Sequence, residues 1–258
     1  MTDRALPPLL DAHAYLGPDS LHDVGPCTAE SLLATMDLVG IETALVTDRA
    51  GREYDPAEGN RAVVAATHDL PRLLPCWTVL PATCGQLDPA DTFAAAAVDS
   101  GVALLRAYPQ RHGYDLADPA LTGHLSTAAA AGLPLLVDAL ETDFAAVAAL
   151  AGAIPDLTIV IGLAGYRVLR DLAGLFTRFP NVLVDTANLS SHCGLEWLTD
   201  RFGIARIVFG TGAPQRDPAE AVTRLAWSEL TDDAVAAIGH GNLRSLLRPG
   251  LLRQETSR

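Results

Sequence analysis

Along the chain, short and almost wholly apolar runs alternate with longer segments whose apolar residues recur at helical spacing. Eight of the short runs read as strands, over residues 9–17, 41–47, 73–80, 101–107, 133–139, 157–163, 181–187 and 206–211. Helices are predicted over 28–39, 60–68, 91–99, 119–131, 143–151, a stretch ending at Phe179, 195–202, 218–227 and 232–238. Thr28 supplies a start signal for the first of them and Gly40 a stop. Residues 17–27 and 48–59 are polar and read as loops.

Strands that are apolar on both faces and separated by helices imply a parallel sheet covered on each side. With 258 residues, the simplest closed arrangement is a single-domain (β/α)8 TIM barrel spanning 1–258, a fold that needs about 250 residues. An open doubly wound sheet is the alternative. No Gly-x-Gly-x-x-Gly follows any strand, which removes the usual reason to choose it.

Charge narrows the partners. A formal net charge of -13 argues against nucleic acid, because phosphate contacts need clustered Lys and Arg. The four cysteines show no Cys-x-x-Cys spacing, and no apolar run reaches transmembrane length or forms a signal core, so a reduced cytoplasmic setting without membrane contact is expected. A small-molecule substrate fits better, in a homo-oligomer or beside a paralogous subunit.

The chemistry-bearing residues cluster at strand ends. Alternation on the first strand predicts one shared face for Asp11, His13 and Tyr15. Arg106 and Tyr108 close the fourth strand, Asp138 and Glu141 the fifth, and Asp185 the seventh, all at the end where barrel enzymes place their sites. Asp138 is a candidate general base, or the group that orients His13; Tyr15 is a candidate proton donor; Arg106 suits a bidentate clamp on a carboxylate. Structural roles stand beside these. Asp11 and His13 also read as a structural pair, Asp138 and Arg106 as a buried ion pair, and Asp185 as a cap for the turn at Asn188. His112 and His124 are expected at the surface. Cys193 beside His192 is a weaker nucleophile candidate, with no oxyanion-hole motif near it.

Leu9-Leu10-Asp11-Ala12-His13-Ala14-Tyr15-Leu16-Gly17 resembles the Asp-x-His-x-His-x-Gly first strand of the amidohydrolase superfamily, in its amidohydrolase-related TIM-barrel branch. Asn60–Pro75, Gly132–Val137, Arg206–Pro214 and the tail from Ile238 resemble further family segments in the right order. The resemblance implies a divalent metal at the barrel mouth, held by two strand-one histidines, often a strand-five histidine, and a strand-eight aspartate that handles the water. In this chain those positions read Tyr15, Asp138 and Gly212, a histidine common on strand six is replaced within Ile161-Gly162-Leu163, and His13 alone matches. One imidazole is a poor catalytic zinc site, which normally has three protein ligands.

We therefore expect a hydrolase or lyase acting on a small organic acid or lactone by metal-independent acid-base catalysis. His13, Tyr15 and Asp138 would be catalytic, and Arg106, Tyr108, Glu141 and Asp185 would bind substrate. One alternative is a catalytically inactive binding or scaffold subunit. The other is a rebuilt zinc or manganese site on His13, Asp138 and Asp185, or with His192, serving hydrolysis or decarboxylation.

Overall fold

The computed structural model describes residues 4–18 and 27–252, so most of the loop expected over 17–27 lies outside the described residues. Eight parallel strands pair in chain order: β1 (Leu9–Leu16), β2 (Ile41–Asp48), β3 (Leu73–Thr78), β4 (Leu104–Ala107), β5 (Leu135–Asp138), β6 (Ile159–Gly162), β7 (Val182–Asp185) and β8 (Ile207–Val208). The ring is closed by backbone bonds between β1 and the segment that follows β8. Ala12 N–H donates to Phe209 O at 2.9 Å, Gly212 N–H to His13 O at 2.8 Å, and Tyr15 N–H to Ala213 O at 2.8 Å. The fold is a TIM barrel.

Helices α1 (Ala29–Val39), α2 (Arg49–Glu53), α3 (Pro56–Thr67), α4 (Ala90–Asp99), α5 (Pro109–His112), α6 (Pro119–Ala130) and α7 (Phe144–Ala153) cover the first half of the barrel. The second half carries α8 (Leu169–Arg178), α9 (Gly194–Phe202), α10 (Pro218–Ala226), α11 (Asp232–Ala236) and, after a π turn, α12 (Asn242–Leu246). Four of the middle strands are shorter than their apolar runs, because residues such as Val102, Ala103, Leu133 and Leu157 are buried on the approach to the sheet.

The stretch 48–59, read as a loop, is mostly helical. Asp48 and Asp55 each accept from the first backbone N–H groups of a helix, α2 and α3, and Pro56 occupies the first turn of α3, where its missing N–H costs nothing. A Cβ on Gly59 would lie 2.1 Å from Gly51 N, so glycine is required where the two helices touch. That contact fixes α2, and with it Arg49 and Arg52, over the end of the barrel.

Two apolar clusters explain which side chains point inward. Leu105, Val137, Ile161 and Val184 pack outward against the helices, while Leu104, Leu136, Val160 and Leu183 fill the interior. With a two-residue period, Arg106, Asp138, Gly162 and Asp185 follow the interior set to the C-terminal mouth. β1 departs from this rule. Its register against β2 slips between Asp11 and Ala14, so Leu10 and Ala12 join the interior cluster while the inward residues beyond the slip are His13 and Tyr15. Asp11 therefore falls off the line it was expected to share with them.

His124 is not at the surface. It is 2% exposed, packs against Phe93 and reaches Asp88 O through Nε2 at 2.8 Å, because α6 lies against α4 there. His112 is half-buried, with Nε2 3.0 Å from Arg52 O, and burial lowers its pKa. Among the described residues no helix is long and apolar enough to cross a membrane.

Candidate active site at the barrel mouth

Five side chains from four strands meet at the C-terminal end of the barrel, none more than 3% exposed: His13, Tyr15, Arg106, Asp138 and Asp185. His13 Nδ1 lies 2.7 Å from Asp185 Oδ2, and His13 Nε2 lies 3.0 Å from Tyr15 Oη and 3.1 Å from Arg106 Nη2. Arg106 Nη2 also donates to Tyr15 Oη at 2.7 Å and to Asp138 Oδ1 at 2.9 Å. Tyr15 Oη is 3.2 Å from Asp138 Oδ2. A guanidinium only donates, so His13 Nε2 is assigned as an acceptor and the ring proton to Nδ1, facing Asp185.

Each anchor has a local cause. Asp185 ends β7, and its other oxygen accepts from Leu163 N–H at 3.2 Å; Leu163 adopts a left-handed φ of 50° just after β6. Asp185 thus holds His13 and does not cap the turn at Asn188. It is Asp185, and not Asp138, that grips Nδ1; Asp138 Oδ1 stands 3.5 Å from Nε2. Asp11 supports the strand from behind. Its Oδ1 accepts from His13 N–H at 2.8 Å and Thr211 N–H at 2.9 Å, and its Oδ2 from Thr211 Oγ1 at 2.5 Å.

Electrostatics separate the carboxyls. Burial opposes ionisation of Asp138, but the Arg106 guanidinium and His13 overcome it and hold the carboxyl below its usual range. Burial raises Asp185 and pushes Asp11 up to about 6, against their hydrogen bonds. Burial also drives the Tyr15 phenol well above its ordinary value, and Tyr108 to about 12. Arg106 stays a cation despite its burial, with its charge 5.1 Å from the Tyr15 ring centre and 5.3 Å from that of Tyr108.

A second layer, absent from the sequence reading, comes from α2 and α5. The Arg52 charge stands 5.8 Å from each of the Tyr15 and Tyr108 rings, and Arg49 stands 5.8 Å from Tyr15. Glu141, expected to face substrate, accepts from Arg111 N–H at 3.0 Å and lies 4.0 Å from Arg52 Nη2. Glu53 pairs with both Arg52 and Arg111. The only sequence signal for this layer was the Asp-capped start at 48–50, which turns a polar loop into a helix. His192 and Cys193 sit apart from this centre; both are exposed, 3.5 Å from each other, after β7.

A family model for the Amidohydro_2 type of amidohydrolase matches residues 17–248. The chain belongs to the amidohydrolase family. The match begins just after β1, the strand that carries His13 and Tyr15. No curated protein sequence matches the chain. Solved amidohydrolase-like barrels share its fold. A manganese-bound 5-carboxyvanillate decarboxylase from Novosphingobium aromaticivorans superposes with a TM-score of 0.76 at 13% identity, covering 93% of this chain and 96% of that one. A 2,6-dihydroxybenzoate decarboxylase from Rhizobium gives 0.71 at 16%, covering 93% and 98%. A putative 2-pyrone-4,6-dicarboxylic acid hydrolase from Pseudomonas putida gives 0.72 at 16%, covering 93% and 97%.

A divalent ion does not fit the centre of this barrel as it stands. Among the described residues no three His, Cys, Asp or Glu side chains converge to hold one. Asp138 and Asp185 address opposite nitrogens of His13, so these three cannot share an ion, and the donors facing Nε2 already surround the Arg106 cation. A side chain on strand six would crowd this centre: a Cβ on Gly162 would stand 2.7 Å from Asp138 Oδ1 and 3.0 Å from His13 Cε1, so a neighbour would have to shift. Gly212, where the family has aspartate, has a φ of 74°, a conformation that strains any side chain.

Proposed function

We propose that this amidohydrolase is a hydrolase or lyase for small organic acids or lactones, working by acid-base catalysis that draws on no metal. The observation that carries the reading is the chain of contacts Asp185, His13, Tyr15, with both ring nitrogens of His13 engaged at 2.7 and 3.0 Å. A carboxylate at Nδ1 fixes the tautomer that leaves Nε2 as the base, as in hydrolases that use a His–Asp pair.

In this reading the Tyr15 hydroxyl gives its proton to the leaving group, while His13 Nε2 takes a proton from the water that attacks the substrate and passes it to Tyr15, which restores both groups. Arg106 stabilises the oxygen that gains charge. Asp138 keeps Arg106 in position and accepts a hydrogen bond from the Tyr15 hydroxyl. Tyr108 packs on the Arg106 charge. Arg52 and Arg111, over the mouth and paired with Glu53 and Glu141, suit recognition of a substrate carboxylate, which would exchange with those glutamates. The solved relatives named above, acting on hydroxybenzoates and a pyrone dicarboxylate, support an organic-acid substrate class. A cytoplasmic setting accords with the free thiols of Cys27, Cys76, Cys84 and Cys193.

The test is turnover on a panel of anionic lactones and aromatic carboxylates after exhaustive chelation. Activity that persists after chelation, and falls in Tyr15→Phe and His13→Ala, is the expected result. Activity restored only by added manganese or zinc would refute the reading.

A further inference from the structure

We propose that Arg106 is a tethered cation standing on a latent divalent-metal site, whose donors are His13 Nε2, Tyr15 Oη and the Asp138 carboxylate. The spacing of those donors carries the inference. His13 Nε2 is 3.0 Å from Tyr15 Oη, Tyr15 Oη is 3.2 Å from Asp138 Oδ2, and His13 Nε2 is 3.5 Å from Asp138 Oδ1. A tetrahedral ion with bonds of about 2.0–2.1 Å has its donors about 3.3 Å apart, the spacing at which His13, Tyr15 and one or other oxygen of Asp138 stand.

Arg106 Nη2 caps these donors, 2.7–3.1 Å from His13 Nε2, Tyr15 Oη and Asp138 Oδ1, at hydrogen-bonding distances that set a positive charge over them. The histidine is also braced as a metal ligand would be, with its far nitrogen on a carboxylate, Asp185, at 2.7 Å. Gly162 contributes no side chain beside Asp138 and His13. Arg106 therefore supplies the charge that an ion would supply, and excludes that ion. This inference does not rest on the His13 relay being catalytic.

Its test is metal content by mass spectrometry, with thermal unfolding as a second readout, after incubation with zinc or manganese and dialysis against a weak chelator. Wild type is expected to retain no ion and to show no metal-dependent shift in Tm. Arg106→Ala is expected to retain about one ion per chain and to gain several degrees in Tm on metal addition, and the double variant with His13→Ala to lose both effects. Arg106→Met, which keeps the apolar stem, carries the same expectation if the alanine variant does not fold. Wild type holding about one ion that His13→Ala abolishes would overturn the proposal. So would a folded Arg106 variant that retains no more metal than wild type.

Discussion

His13 and Asp185, from strands on opposite halves of the sequence, are joined by a 2.7 Å contact in a fully buried setting. A carboxylate that only accepts fixes the ring proton on Nδ1 and turns Nε2 toward Tyr15 and Arg106. Asp185→Asn presents an amide that can donate, which favours the opposite tautomer. Turnover should fall by about 10²–10⁴-fold with little change in Tm. Steady-state kinetics with parallel unfolding curves check this; an equal loss of stability and activity would make Asp185 structural only.

Arg106 and Asp138 form a buried ion pair at 2.9 Å. Removing one partner leaves an unpaired charge, so Arg106→Met should destabilise by about 3–5 kcal/mol. Combining it with Asp138→Leu should recover much of that loss. Urea unfolding of the two single variants and the double variant measures the coupling directly.

Gly162 is the space beside the network. With Asp138 Oδ1 2.7 Å and Leu136 Cδ2 2.8 Å from its Cβ position, Gly162→Ala must displace one of them. We expect a cost of about 1–3 kcal/mol from overpacking. Activity should fall further than stability predicts, because Asp138 moves away from Arg106. A variant as stable as wild type would show that the strand accommodates the methyl group.

Asp11 gives the fold a pH dependence of defined sign. Its carboxyl is raised from 3.8 to about 6, so the folded state binds more protons than the unfolded state in that window. The stability it contributes is full below about pH 4 and is lost as pH rises through about 6, by up to about 3 kcal/mol. Asp11→Asn, which keeps an acceptor for the His13 and Thr211 N–H groups, should remove that slope. Denaturant unfolding of both proteins across the window decides it.

Much of this architecture was legible in the sequence, and the exceptions have physical causes. The apolar runs marked the strands because both faces of a barrel strand are buried, and a parallel barrel brings strand ends such as Arg106, Asp138 and Asp185 to one mouth. The slip in β1 was invisible, since the alternation of Asp11, His13 and Tyr15 with alanines runs unbroken through the point where one residue is inserted. Which carboxylate holds which nitrogen of His13 depends on angles around the ring, which spacing does not carry. Arg52 was missed because a polar stretch opened by an Asp cap looked like a loop, and Arg111 because the single turn of α5 has no capping side chain to mark it. The burial of His124 depends on α4 packing across α6, a contact between elements that local patterning does not report.

The most direct test of the account is the ¹⁵N spectrum of histidine side chains, with the His13 signals assigned by their loss in His13→Ala. The account predicts a protonated Nδ1 and an unprotonated Nε2 for His13, unchanged by chelator or by added zinc. A bare Nδ1 with the proton on Nε2, or an Nε2 signal that moves when zinc is added to the wild-type protein, would contradict it.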